Sequence, residues 1–236
     1  MRILIVNDDG IEADGIRRLA EAAVKYGEVW VVAPVAERSA ASHSIYVRNP
    51  IDVYEREYPV KGVRAFAVDA TPADCVRVGM LNLLPQKPDI VFSGINNGYN
   101  AGTDVQYSAT VGAAMEAVFQ GVPAVAFSEG SRGGREVAVK YLDTVMSEVI
   151  QTKYVPMQIV NVNFPECPVS EVKGILRDRK TSTVGIYLDR YLEEKREDGG
   201  RRFRLNGILN ENVDKNSDLE ALLQNYITIG PVTNIH

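Results

Sequence analysis

Histidine and cysteine are both scarce in this chain. There are two histidines among 236 residues, His43 and His236. A Ser-His-Asp triad would have to use His43, and His-rich zinc or iron centres are excluded. The two cysteines, Cys75 and Cys167, are too few and too far apart for a disulfide framework or a zinc site. A reduced, cytoplasmic setting is expected. No apolar run approaches the roughly 18 residues of a membrane span. The first run, Ile3 to Val6, is cut off by acids, which is unlike a signal peptide. No GxGxxG follows that run, and neither GxxxxGK[ST] nor GxSxG occurs, so the usual dinucleotide, P-loop and serine-hydrolase signatures are missing. Any metal here must be held largely by oxygen, which favours magnesium, manganese or calcium. The net charge of −5 argues against a nucleic-acid polymer as partner.

What is present begins at the first ten residues, MRILIVNDDG. The β-branched run reads as a buried parallel strand ending abruptly in Asn7, Asp8, Asp9 and Gly10. Two carboxylates about 4 Å apart at an effective dielectric near 20 repel by roughly 4 kcal/mol. A cation relieves that cost, or one carboxyl keeps its proton; the plainer alternative is a polar strand-to-helix turn bent at Asp9-Gly10. In open α/β sheets, ligands bind beyond the carboxyl ends of the strands, where this pair would sit. A metal site is therefore the first expectation.

Asp14 can cap a helix with Ile16, Leu19, Ala20, Ala23 and Val24 on one face, and Glu28 to Ala33 supply a second strand. This is a βαβ unit. The loop after Pro34 carries Ser39, Ser42, His43 and Ser44, again at the carboxyl edge. Residues 45–55 and 61–69 read as an antiparallel excursion. Thr71-Pro72-Ala73-Asp74 is a strong helix start. PDIVFS is the next buried strand, and a helix begins at Ser108. The strand AVAFS, an amphipathic helix over 135–151 and a strand over 158–163 follow. This alternation predicts an α/β fold with a Rossmann-like, doubly wound, mostly parallel sheet over residues 1–170. Residues 171–236 differ, being densely charged around a hairpin signal at Asp198-Gly199-Gly200. They are expected to form a C-terminal, β-rich oligomerisation extension, since one hairpin alone is marginal in water.

The stretch between Ser93 and Ser108 places Gly94, Gly98 and Gly102 among Asn96, Asn97 and Asn100. Glycines so spaced let backbone amides approach a ligand. The helix start at Ser108-Ala109-Thr110 would present free N–H groups to an anion. Its dipole, worth about 0.3–2 kcal/mol, cannot hold phosphate beside two aspartates unaided. A divalent ion between them can, through several kcal/mol of charge stabilisation. Taken alone, Ser108 reads as a helix cap, Ser39 as a loop serine and His43 as a hydrogen-bonding residue.

NDDG, the AP…ERSAASHSI stretch and SGINNGYNAGTDVQYSATVGAAMEA together resemble the SurE family of stationary-phase survival proteins with nucleotidase activity. The similarity covers essentially the whole chain. It implies a metal-dependent phosphatase acting on nucleoside 5′- and 3′-monophosphates, with one magnesium or manganese ion per subunit. The ligands would map to Asp8, Asp9, Ser39 and Asn96, with Asp8 and Asp9 as the catalytic pair. Phosphate or substrate contacts would fall to Asn100, Ser108, Thr110, Ser44 and Gly94. The resemblance also implies a homodimer or homotetramer built through the C-terminal region. Ala109 stands where the pattern YSGT expects glycine, which bears on how closely phosphate approaches that backbone. A mononucleotide-binding sensor that does not hydrolyse its ligand is the competing expectation.

Overall fold

The computed structural model describes residues 1–233. His236 lies outside them. In chain order the elements are β1 (Arg2–Val6), α1 (Asp14–Ala23), β2 (Glu28–Pro34), β3 (Val53–Arg56), β4 (Arg64–Val68), α2 (Pro72–Val78), β5 (Ile90–Asn97), α3 (Ala109–Phe119), β6 (Ala124–Glu129), α4 (Gly134–Ile150) and β7 (Gln158–Phe164). The C-terminal part adds β8 (Gly174–Arg177), β9 (Tyr187–Leu188), β10 (Tyr191–Lys195), β11 (Arg201–Leu205), β12 (Ile208–Leu209), α5 (Asp218–Leu223) and β13 (Tyr226–Thr233).

Alternation along β1 divides the core. Ile3 and Ile5 face one cluster with Ile16, Leu19 and Ala20 of α1 and Val137, Val145 and Met146 of α4. Leu4 and Val6 face the other, with Cys75 and Val76 of α2 and Val111, Ala114 and Met115 of α3. A strand buried on both faces needs apolar side chains at every position, which is why Ile3 to Val6 form an unbroken apolar run. Full burial of each large aliphatic side chain contributes about 1.5–3 kcal/mol. The result is a doubly wound α/β sandwich whose nine-stranded sheet runs β3-β4-β2-β1-β5-β6-β7-β13-β8. Pairing is parallel from β4 through β7, with β3 and β13 antiparallel to their neighbours β4 and β7.

Three local expectations change. The β3–β4 hairpin is the edge of the main sheet, because β4 pairs in parallel with β2. Ala13 occupies the N-cap of α1 without a side-chain cap, and Asp14 is its first residue. The Asp14 carboxylate instead accepts from Arg17, Arg18 and Arg135. Arginines three and four residues on face it along the helix, which explains the exchange of roles. Lastly, β8 and β13 return to the main sheet. The C-terminal segment thus divides between these core strands and an arm, β9 to β12, which among the described residues pairs only with itself. Among the described residues no helix is long and apolar enough to cross a membrane.

After β1 the chain builds outward through β2 and β4, then crosses to β5 on the opposite side of β1. The strand order therefore reverses between β1 and β5, and an open α/β sheet binds ligands in the crevice at such a point. Gly15 lets this crevice close. A side chain there would run into the Ile95 carbonyl of β5, so only glycine allows the first turn of α1 to rest on that strand.

Candidate active site

Asn7 shapes the acid tip. Its side-chain amide donates to the Gly10 carbonyl at 2.8 Å, folding NDDG into a tight polar turn. Asp8 is 4% exposed, and its carboxylate accepts from the Thr110 hydroxyl in the first turn of α3. Asp9 is half-buried and accepts from the Asn97 backbone N–H of β5 at 3.3 Å. One acid is therefore oriented by α3 and the other by β5.

Burial is the largest influence on both groups. It pushes Asp8 up to about 6, opposed by the Thr110 hydrogen bond and reinforced by the neighbouring charges of Asp9 and Glu37. Burial also raises Asp9, with the Asn97 amide opposing and Glu37 and Glu129 reinforcing. Among the described residues no lysine or arginine forms a salt bridge with either acid. The pair is short of positive charge.

Ser39 lies in the loop after β2, which is fastened to the acid tip by the Arg38 N–H donating to the Asp8 carbonyl at 2.7 Å. Its hydroxyl is exposed and donates to Glu37 Oε1 at 2.6 Å. Asn96 is strand, not loop. A register shift between Ser93 and Asn96 bulges β5 against β6 just at this point. Bulges re-aim side chains beside active sites. The Asn96 amide nitrogen donates to the Gly98 carbonyl at 2.9 Å, which leaves the amide oxygen available. Gly94 is buried inside the bulge at φ +132°, where any side chain would meet the Phe127 carbonyl.

Three of the five expected phosphate contacts are committed elsewhere or lie apart. Asn100 is buried, donates to Ser128 Oγ at 2.8 Å, and is clamped through its backbone by Asn161 and Asn163. It anchors the stretch after β5. Thr110 holds Asp8. Ser44 is exposed, bonded to the Ala41 carbonyl at 2.7 Å, and its own carbonyl receives the Thr71 hydroxyl at the α2 cap. Ser108 caps α3 by accepting the Val111 N–H at 3.0 Å and borders a small opening of about 40 Å³ near His43. His43 itself meets Glu116 at 2.9 Å. Burial would raise Glu116, but His43, Gln120 and Arg77 hold it below its usual range.

Sequence reasoning passed over three groups. Glu37 bonds Ser39 and adds charge beside both acids. The Asn97 amide fixes Asp9. Arg18 and Glu129 form a bidentate, buried ion pair at 2.5 and 2.9 Å, linking α1 to the tip of β6. No local pattern marks a pair so far apart in the chain.

The donor set fits a hard cation. Asp8, Asp9, Ser39 and Asn96 can offer oxygen, and two desolvated carboxylates that form no salt bridge among the described residues are what a divalent ion neutralises. Among the described residues no three His, Cys, Asp or Glu side chains gather around one point. The acid pair would accordingly rely on the neutral oxygens of Ser39 and Asn96.

Fold and crevice together define an open α/β protein with a carboxylate-based, oxygen-lined site at the topological switch point of its sheet. The model for the survival protein SurE family matches residues 3–184. The chain is 39% identical over 238 residues to a 5′-nucleotidase SurE of Clostridium botulinum (strain Loch Maree / Type A3), covering 98% of this chain and 92% of that one. It is 38% identical over 249 residues to a 5′-nucleotidase SurE of Carboxydothermus hydrogenoformans, covering 100% and 93%. The crystal structure of the SurE protein from Aquifex aeolicus superposes with a TM-score of 0.82 at 31% identity, covering 99% of this chain and 93% of that one. This chain belongs to the SurE family.

Proposed function

We propose that this chain is a metal-dependent 5′-nucleotidase that hydrolyses nucleoside 5′-monophosphates, and 3′-monophosphates as well, to nucleoside and phosphate. The observation that carries this reading is the uncompensated Asp8–Asp9 pair at the sheet's switch point, together with 39% identity to a 5′-nucleotidase over almost the full chain. A sensor that merely binds phosphate gains nothing from two carboxylates beside the anion.

Asp8, Asp9, Ser39 and Asn96 would hold one magnesium or manganese ion. Such an ion supplies charge stabilisation to the phosphoryl oxygens and lowers the pKa of water. The chain's own groups do the rest. Thr110 and the Asn97 amide fix the two carboxylates, so little reorganisation is needed at reaction. The α3 start would offer the phosphate partial positive charge. Water oxygen bonds to phosphorus as the bond from phosphorus to the sugar oxygen breaks, and the leaving oxygen gains a proton. Asp8 or Asp9 would accept the proton that water loses.

The exposed apolar side chains of the arm, among them Tyr187, Tyr191, Phe203 and Ile208, each about half exposed, support a homo-oligomer in which a second copy covers them.

Phosphate release from a panel of nucleoside monophosphates, with EDTA, magnesium or manganese and beside p-nitrophenyl phosphate, tests this function. Release from nucleotides that requires the metal is expected. Nucleotide binding without release under any ion would identify a sensor instead.

A further inference from the structure

A cavity of about 450 Å³ opens beside Asp9, between the first turn of α1 and the loop joining β6 to α4. It shares Asp9 and Asn97 with the site described above. We propose that this cavity is the leaving-group subsite, and that it recognises the hydroxyl-bearing sugar of the substrate through Arg135, Ser131 and Asn97. This rests on the phosphomonoesterase reading and adds to it where the organic half of the ester lies.

Volume decides the direction. The opening beside Ser108 and His43 holds about 40 Å³, room for little more than a water. Small-molecule sites run to about 300–1,000 Å³, and the cavity at Asp9 falls in that range. An ester with its phosphorus at the acid pair must send its leaving group where there is space.

The walls decide the chemistry. Among the described residues no aromatic side chain lines the cavity, so it lacks a platform on which a base would stack. Its back is the buried Arg18–Glu129 pair, whose two hydrogen bonds fix the carboxylate's direction. Asp14, also in the wall, is saturated by three arginines and, although burial opposes it, held down to about 2 by Arg135, Arg18 and Arg17. Arg135 stands at the rim with its side chain 59% exposed, bonded to Asp14 through Nε at 3.0 Å, while Nη1 takes no part in that contact. Ser131 and Asn97 are exposed and carry a hydroxyl and an amide. Donors and acceptors fixed on both sides of a polar cleft suit a polyhydroxylated group.

The test compares Arg135→Ala, and separately Ser131→Trp, with the wild type. The readout is the ratio of kcat/KM for a nucleoside monophosphate to kcat/KM for p-nitrophenyl phosphate, whose leaving group has no sugar. Loss of one charge-assisted contact lowers the ratio about tenfold, and filling the cleft with tryptophan lowers it at least as far. The Arg135 variant is expected to fold, since its side chain is on the surface and Asp14 keeps Arg17 and Arg18. An unchanged ratio in both variants overturns the subsite while leaving the nucleotidase reading intact. An equal fall on both substrates also overturns it, placing the effect at the phosphate. A wild type that cleaves the phenyl ester but no nucleotide refutes the underlying reading before any variant is made.

Discussion

Asp8→Asn is expected to lower turnover about a thousandfold and, in metal-free protein, to raise stability. The first effect follows from losing one of two anionic ligands, since several kcal/mol of charge stabilisation correspond to that factor. The second follows from burial. The folded protein holds Asp8 at about 6, above its ordinary 3.8. Protonation of a group whose folded pKa is raised favours the native state. Its contribution is therefore fully present below about pH 4 and is lost as pH rises through about 6. The difference from 3.8 amounts to roughly 3 kcal/mol at pH 8. Asparagine is neutral at every pH and still offers Thr110 an acceptor. Denaturant unfolding of both proteins in EDTA, at pH 5 and pH 8, checks this. The variant's advantage should be about half its full size at pH 5 and approach its full size at pH 8. Saturating magnesium should narrow it by stabilising only the wild type. An inactive variant less stable than the wild type at pH 8 would mean that Asp8 serves the fold.

The second large effect is at Arg18. Truncation to alanine is expected to cost about 3–5 kcal/mol, because it leaves Glu129 buried and unpaired. Arg18 and Glu129 are 8% and 5% exposed, so water cannot take the guanidinium's place. For a chain of this size the melting temperature should fall by roughly 6–20 °C. The double replacement Arg18→Met with Glu129→Met removes both charges together and should recover most of that loss. Thermal unfolding of the two variants checks it. Equal destabilisation in both would show that packing, not the ion pair, holds α1 to the tip of β6. Glu129 also raises Asp9 by its charge. Freed of Arg18, it repels the acid pair more strongly, so the single variant should also lose activity without metal ligation being touched directly.

The acid pair could be read from the chain because the period of β1 breaks there, with four apolar residues followed at once by Asn7, Asp8 and Asp9. The α/β alternation was equally plain, since the central strands β1, β2, β5 and β6 are buried on both faces and α1 and α4 each show one apolar stripe. Asn96 and Asn97 were harder to place. Glycine and asparagine signal a loop, whereas inter-strand hydrogen bonding extends β5 through them around a bulge. That bulge depends on β6, which arrives about thirty residues later in the chain. Thr110 looked like a phosphate ligand because helix starts bind anions, yet its hydroxyl is turned to Asp8. Asp14 looked like a cap and became the centre of an arginine cluster, drawn partly by Arg135 from a distant helix. The Arg18–Glu129 pair left no trace at all, for its members are joined only when α1 and β6 pack against the same strand. Composition and period express burial well. They do not express which polar groups tertiary packing brings face to face.

Binding of manganese to the purified protein, followed by titration calorimetry, is the most direct measurement of the claim that Asp8 and Asp9 hold a catalytic cation. One ion per chain is predicted for the wild type, with no detectable binding in Asp8→Asn and Asp9→Asn variants that remain folded by circular dichroism. Undiminished manganese binding in both variants would contradict it, and would leave Asp8 and Asp9 at the sheet's switch point without a counter-charge.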